Sequence, residues 1–375
     1  MSDLVTSVLQ LEKRCIFCGD KPTDKNREHV IPRWLISLTG NPKRDWYLGI
    51  RTNKSGRPER RFSADQFTFP ACESCNTRYS ALEARAKGYV EKLLADIILP
   101  AREWDDLMDW FDKIRIGLWI GNMILNKDWP IPNPGFYIDQ RLAKKDRFLL
   151  VYENAEPDYV GLNMTGASDP VFFHFPSVFM LVINRLVFIN ASYEFMLTAR
   201  MGFPYPKKMW FEERVEGTRR HVDDFTATYR PRPPFLRFSF YPPKFSAHQT
   251  ILLESALDGD DYEPLIAHEY VSRNRLPHEK IKTRICVVDN DKARFLDPDD
   301  LLEEINQPKP VAVDLKQHYI RLFEFRYRLL TQSLEEQPAA RKIIRMLIGY
   351  NDGGLAQAKA GIGSSVGLQP TRPAK

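Results

Sequence analysis

Cys15-Ile16-Phe17-Cys18-Gly19, Glu28-His29-Val30-Ile31-Pro32 and Cys72-Glu73-Ser74-Cys75-Asn76 follow one another in this order, two cysteine knuckles flanking an acid–histidine pair. Each Cys-x-x-Cys knuckle can direct two thiolates at one ion, and four thiolates complete the tetrahedron that structural zinc prefers. The 53 residues between Cys18 and Cys72 exceed the spacing of a compact zinc ribbon. An ion joining the two ends would therefore staple a sizeable insert whose own core is small. Cys286, the fifth cysteine, lies in an apolar run and is assigned to core packing.

Working outward, Glu28 to Ile31 reads as a short strand ended by Pro32, and Trp34, Leu35 and Leu38 as a helical turn. From Gly40 to Arg61 the chain is rich in Gly, Pro, Asn and charge, with a hairpin signal at Ser55-Gly56. Phe67-Thr68-Phe69 reads as the second strand. A helix then starts near Ser74 with an apolar stripe Tyr79, Leu82, Ala86, Tyr89, Val90, Leu93 and Ile97, ending at Pro100. Asn76, Ser80 and Glu83 share another of its faces, where Glu83 reads as a solvated acid in preference to a contact supporting the Asn76 site.

The chemistry inside the bracket suits phosphodiester hydrolysis. A neutral imidazole, His29, can take a proton from water. A hard divalent ion such as Mg²⁺ or Mn²⁺, held through oxygens of Glu28 and Asn76, can neutralise charge on the phosphate and leaving group.

These motifs, with Leu82-Glu83 in the following helix, resemble the HNH (ββα-metal) endonucleases in their four-cysteine form, over roughly residues 13–98. The resemblance implies His29 as general base, Glu28 and Asn76 as ligands of a catalytic divalent ion, and a separate structural Zn²⁺ on Cys15, Cys18, Cys72 and Cys75. It also implies a nucleic-acid substrate, DNA rather than RNA, and a setting in bacterial defence, as a homo-oligomer or with a defence-system partner protein. The family's central asparagine, which braces the loop, falls where this chain has Phe67 beside Gln66; Asn41 and Asn53 are the loop asparagines that could stand in. A ribonuclease using the same site and a zinc-stabilised nucleic-acid-binding module without catalysis are the alternatives.

Charge distribution agrees with a polyanionic partner. Residues 1–98 carry 17 Lys+Arg against 12 Asp+Glu, while the remainder balances at 37 of each, so the whole surplus of +5 lies with the cysteine motifs. Lys43, Arg44, Arg51, Lys54, Arg57, Arg60 and Arg61, with Trp46 and Tyr47 among them, suit phosphate contact and base stacking. The cations at Lys207, Lys208, Arg214, Arg219 and Arg220 are interrupted by acids and read as solvated surface, and Asp258-Gly259-Asp260-Asp261 as a turn. His174, His221, His248, His268, His278 and His318 have no metal-ligand spacing.

Hydrophobic content of 43% and charged content of 27% suit a globular chain. No signal pattern opens it, and Ile114 to Leu125 is too short and too polar to span a bilayer. A cytoplasmic protein away from membranes is expected, where paired cysteines bind metal rather than form disulfides.

The expected class is α+β: a zinc-stapled ββα-metal domain (1–98), then a larger mixed α+β domain (99–350) for recognition, sensing or assembly, then a disordered, glycine-rich tail (351–375). Within the second domain a helix is expected over Trp104 to Asn126, its Gly117 and Gly121 admitting a close neighbour. Strands are expected at Phe148 to Tyr152, Val171 to Phe175, Phe179 to Ile189 (a hairpin at Asn184-Arg185), Leu236 to Phe240, Thr250 to Leu253 and Arg284 to Val288. Asp297-Pro298-Asp299-Asp300 reads as a helix start, and two helices over 316–334 and 338–349 close the fold.

Overall fold

The structure, a computed structural model, describes residues 13–24, 26–52, 58–125, 137–142, 147–165, 170–174, 176–192, 205–214, 217–226, 243–249, 285–289, 292–303, 315–336 and 341–360. Its strands are β1 (Arg27–His29), β2 (Asp45–Thr52), β3 (Pro58–Ser63), β4 (Thr68–Pro70), β5 (Arg147–Glu153), β6 (Leu162–Thr165), β7 (Val178–Ile183), β8 (Leu186–Ser192), β9 (Tyr205–Arg214), β10 (Gly217–Thr226), β11 (Phe245–Gln249), β12 (Ile285–Asp289) and β13 (Lys292–Phe295). Its helices are α1 (Arg33–Leu38), α2 (Glu73–Leu94), α3 (Ala101–Leu125), α4 (Ile138–Leu142), α5 (Pro170–His174), α6 (Leu315–Glu336) and α7 (Arg341–Lys359). The class is α+β, as expected.

The N-terminal segment folds as strand, insert, strand, helix. β1 pairs antiparallel with β4, Glu28 opposite Phe69 and His29 opposite Thr68. The insert between them forms α1 and the β2–β3 hairpin, whose Ser55-Gly56 turn lies outside the described residues. α2 follows β4, but ends at Leu94 rather than at Pro100. Asp96 adopts φ of 58°, and the Ile97 amide reaches back to the Lys92 carbonyl at 2.9 Å. This is the Schellman closure that glycine usually makes, and it leaves Ile97 on the surface. The Asp96 carboxylate that takes glycine's place is held by Arg185 and Lys244, each at 2.7 Å.

α3 is the centre of the molecule. From Leu107 to Ile124 every residue of it is buried, which is what a helix enclosed on all sides requires. Two neighbouring stripes divide its work. Lys113, Gly117 and Gly121, four residues apart, face the β1–β4 unit. A Cβ built on Gly117 would stand 2.9 Å from Val30, and one on Gly121 would stand 2.7 Å from the Phe69 ring. The close neighbour that these glycines admit is thus the ββα unit itself. Gly121→Ala is expected to cost about 1–3 kcal/mol through overpacking against the Phe67–Phe69 pair, read as a lower denaturation midpoint with unchanged slope.

The other stripe, Asp105, Asp109 and Asp112, meets Arg147 of β5 at 3.0, 2.6 and 3.2 Å. Arg115 adds bonds to Asp112, to Asn190 of β8 at 2.7 Å and to the Pro176 carbonyl. Burial alone would push the Asp112 carboxyl up, but Arg115, Arg141 and Arg147 bring it down to about 2. Charges inside α3 are therefore paired across the layer boundary, as buried charges must be.

Beyond α3 lies a seven-stranded antiparallel sheet in the order β13-β12-β11-β5-β8-β7-β6. β7 is apolar throughout, and β5 and β8 are apolar over most of their length, because both faces are covered. Leu149, Val151, Phe179, Leu181 and Phe188 join the α3 core, while Phe148, Leu150, Val178, Met180 and Ile189 meet Leu322, Phe325 and Leu329 of α6. One hydrophobic core runs from Cys15 to Leu302, so no break in packing occurs at residue 98. On the α6 face, buried His248 shares a 2.6 Å hydrogen bond with Ser246 and lies against Phe148. Burial holds its imidazole down at about 4. The unfolded chain takes up that proton below about pH 6.5 while the folded one refuses it until about 4, so stability falls through this window as pH drops. The loss attributable to His248 is expected to be about 3 kcal/mol, and His248→Phe should flatten that part of the stability–pH curve.

Several local expectations give way to tertiary contacts. Val171 to Phe175, expected as strand, begins in α5: Asp169-Pro170 is a helix-start signal, and the Phe173 carbonyl is taken up by the Trp119 indole at 2.8 Å. Asp297-Pro298-Asp299-Asp300 forms a turn, not a helix start. Its Pro298 and Asp300 carbonyls accept from the Arg102 and Ala101 amides at 3.0 and 2.8 Å, satisfying first-turn donors of α3. The residues from 351, expected to be disordered, continue α7 as far as Lys359. Gly354 there admits the Phe323 ring, at 2.5 Å from an added Cβ, and Asn351 donates to the Phe323 carbonyl. Gly354 thus serves helix packing, while residues 361–375 lie outside the described residues. The strands expected at 236–240 and 250–253 and the turn at 258–261 lie outside the described residues.

Candidate metal centre and the adjoining acid–base site

The four paired cysteines come together. The Sγ atoms of Cys15, Cys18, Cys72 and Cys75 all lie within 4.8 Å of one another, with Cys18 and Cys72 at 3.9 Å. A tetrahedron with metal–sulfur bonds of about 2.3 Å has sulfur–sulfur edges of about 3.8 Å, so the donor set fits zinc without rearrangement of the backbone. Local structure explains the convergence. Gly19 takes φ of 81°, closing the first knuckle by its amide on the Cys15 carbonyl at 2.9 Å. The second knuckle is the N-terminus of α2, where the Cys72 amide donates to Cys15 Sγ at 3.3 Å; helix N-termini favour anionic sulfur. The Ile16 amide bonds the Pro70 carbonyl at 2.9 Å, tying the first knuckle to β4. Burial pushes the Cys75 thiol up to about 12 and raises Cys18 and Cys72 too. Metal binding must therefore release protons from these thiols and weaken as pH falls.

Glu28, His29 and Asn76 lie close by in the fold, but none of the three side chains bonds another. Neighbours on a strand point to opposite faces. Glu28 turns inward, only 5% exposed, onto the Lys113 ammonium at 2.5 Å, and the same ammonium bonds Glu83 of α2. Burial, partly offset by Lys113, pushes the Glu28 carboxyl up to about 7, with Glu83 pushing the same way. Lys113 is pulled down by burial but raised overall by the two carboxylates. Asn76 donates instead to Asn26 Oδ1 at 3.1 Å. Asp24, two residues earlier, caps α2 through the Glu73 amide at 3.2 Å.

His29 faces outward and is half-buried. Its Nε2 lies 3.0 Å from the Asp65 carbonyl and 3.3 Å from Arg33 Nε. The carbonyl can only accept and the guanidinium can only donate, so both cannot bond Nε2 at once. The shorter contact, to Asp65, places the proton on Nε2 and the lone pair on Nδ1, and leaves Arg33 beside the ring without a bond to it. Burial lowers the imidazole below its ordinary range, Arg33 lowers it further, and the Asp65 bond opposes both. A neutral, oriented imidazole beside an exposed guanidinium is the result.

The position of the expected bracing asparagine is filled by aromatic packing. Phe67 meets Phe69 edge-on at 4.9 Å and Trp46 at 6.1 Å, and it abuts Gly121. Asn41 makes a local turn with the Lys43 amide, and Asn53 lies outside the described residues. No known protein family, curated protein or solved structure matches this chain.

The basic loop is only partly available to a ligand. Lys43 is exposed. Arg44 is half-buried and tied down, donating to the Ile36 and Asn41 carbonyls and to Thr39 Oγ1 at 2.9, 3.1 and 2.8 Å. Trp46, expected among the stacking aromatics, is fully buried. Arg51 lies in β2 and Arg60 and Arg61 in β3, whereas Lys54 and Arg57 lie outside the described residues.

A divalent ion shared by Glu28 and Asn76 does not fit this arrangement, because the Lys113 ammonium already occupies the Glu28 carboxylate. Sequence reading missed Lys113 and Arg33, and it took Glu83 for a solvated acid. Arg33 carried a local signal, four residues beyond His29 where α1 begins. Lys113 carried none that separates it from the other charged residues of α3, such as Asp109, Asp112 and Arg115. No helix among the described residues is long and apolar enough to cross a membrane.

Proposed function

We propose that this chain is a zinc-stapled hydrolase of nucleic-acid phosphodiester bonds, DNA in preference to RNA, with His29 as its general base. The observation that carries the reading is the His29 environment: a neutral imidazole, its Nε2 proton directed to the Asp65 carbonyl and its Nδ1 lone pair left to accept. In this reading Nδ1 draws the proton from an attacking water. Arg33, exposed beside the ring, pairs with a phosphate oxygen and offsets charge gathering on the reacting phosphate. The cysteine-bound zinc takes no part in the reaction and holds β1, β4 and the start of α2 in register.

The assay is cleavage of plasmid, single-stranded DNA and structured RNA by the zinc-loaded chain, with and without Mg²⁺ or Mn²⁺, beside His29→Ala. Cleavage by the wild type that the variant lacks supports the hydrolase. Nucleic acid bound equally by both proteins and cut by neither identifies a binding module without catalysis. The observation favouring that second reading is Lys113 on Glu28, where an HNH-type nuclease would hold its divalent ion.

A further inference from the structure

The contact between Glu28 and Lys113 joins residues 85 apart in sequence, and it brings a side chain from α3 into a unit otherwise built from β1, β4 and α2. The Lys113 side chain is 1% exposed, and its ammonium meets Oε1 of Glu28 and Oε1 of Glu83 together. The Phe17 ring stands 5.7 Å from Nζ on a further side. Two oxygens converging from a strand and a helix are the donors a hard cation takes. Here the space between them is filled by a cation that belongs to the chain.

We propose that Lys113 is the resident cation of this site: its ammonium takes the place between Glu28 and Glu83 that a divalent metal ion would occupy, so that this carboxylate pair recruits neither Mg²⁺ nor Mn²⁺. Three arguments carry it. A divalent ion entering the pair would have to expel the ammonium, and a buried ammonium stripped of both carboxylates is left as an unpaired charge with no route to water. Retaining both cations would leave two carboxylates facing three positive charges in a buried space. Mg²⁺ also keeps several waters and sheds them reluctantly, and side chains only 1% (Lys113) and 7% (Glu28) exposed leave little room for those waters. Lys113 is thus a positioning residue: it fixes Glu28, and through β1 the strand end that carries His29. It also makes the ββα unit dependent on the helix beyond residue 98.

The inference rests on the hydrolase reading insofar as it concerns the same strand, but it is read by metal binding rather than by cleavage, so either can fail alone. The experiment is a Mn²⁺ titration of the zinc-loaded full chain, followed by the electron paramagnetic resonance of free Mn²⁺. Wild type is expected to show no saturable Mn²⁺ binding that Glu83→Gln removes. Lys113→Met, which keeps the side chain's length and removes its charge, is expected to bind Mn²⁺ about tenfold or more tightly than wild type, and Lys113→Met/Glu83→Gln to lose that gain. Saturable binding by wild type that Glu83→Gln abolishes overturns the proposal, as does a folded Lys113→Met chain with no gain. Should Lys113→Met fail to fold, wild type against Glu83→Gln decides: Glu83-dependent Mn²⁺ binding refutes the resident cation, and its absence sustains it.

Discussion

Cys72→Ser is expected to lose the bound metal and with it the order of the N-terminal knuckle, β1 and the first turn of α2. Structural zinc contributes an apparent 10–16 kcal/mol, roughly, in small zinc peptides at neutral pH, as much as the whole net stability of an ordinary domain. The loss here is smaller than that figure, because Ile16, Phe17, Val30, Phe69 and Leu82 also bury their side chains in the core shared with α3. What the metal alone provides is the junction between the two knuckles. Besides it, the main-chain amides tying this region among the described residues include Ile16 on the Pro70 carbonyl, Ala71 on the Asn26 carbonyl and Cys72 on Cys15 Sγ. Metal content should drop to background, the melting transition should fall or divide, and amide exchange should accelerate in residues 15–30 before it does in the seven-stranded sheet. Full metal content with an unchanged melting curve would show that the cysteines merely pack as small hydrophobes.

His29→Ala is expected to leave the metal, the fold and nucleic-acid binding in place while removing cleavage. General-base catalysis contributes about 10²–10⁴-fold to rate, and His29 is the base candidate whose orientation is set by a bond to main chain, the Asp65 carbonyl at 3.0 Å. The imidazole is half-buried and at the edge of the β1–β4 pair, so its removal opens no enclosed cavity and should shift stability by about 1 kcal/mol or less. The contrast with Cys72→Ser is the useful one: one variant loses metal and order, the other only turnover. A His29→Ala protein that cuts at the wild-type rate would remove the imidazole from the mechanism, whatever the metal content.

How much could be read without coordinates follows from how far each contact reaches along the chain. The two knuckles, the β1 strand, α1, α2 and the β7–β8 hairpin at Asn184 were legible because their determinants are local: cysteine spacing, a proline stop, a three- and four-residue apolar rhythm, and a turn residue that tolerates positive φ. Even Gly117 and Gly121 announced a close neighbour, though not which one. Arg44 and Trp46 were misjudged for the opposite reason. A basic and aromatic loop has the same composition whether its side chains face water or fold inward, and only the positions of Thr39, Ile36 and Phe67 bury Trp46 and tie down the half-buried Arg44. The helix signal at Asp297-Pro298 was sound as local chemistry and lost to a distant requirement, because the amides opening α3 needed those carbonyls.

The sequence by itself determined the metal donors, the α+β class and the candidacy of His29, since each depends on residue type and short spacing. Only the tertiary structure decided what Glu28 does. Its neighbours in sequence mark it as an oxygen ligand awaiting an ion, whereas Lys113, brought in on a buried helix, meets it with a charge already in place. A carboxylate's role is set by whichever cation stands nearest in space, and that cation came from a part of the chain with no readable motif.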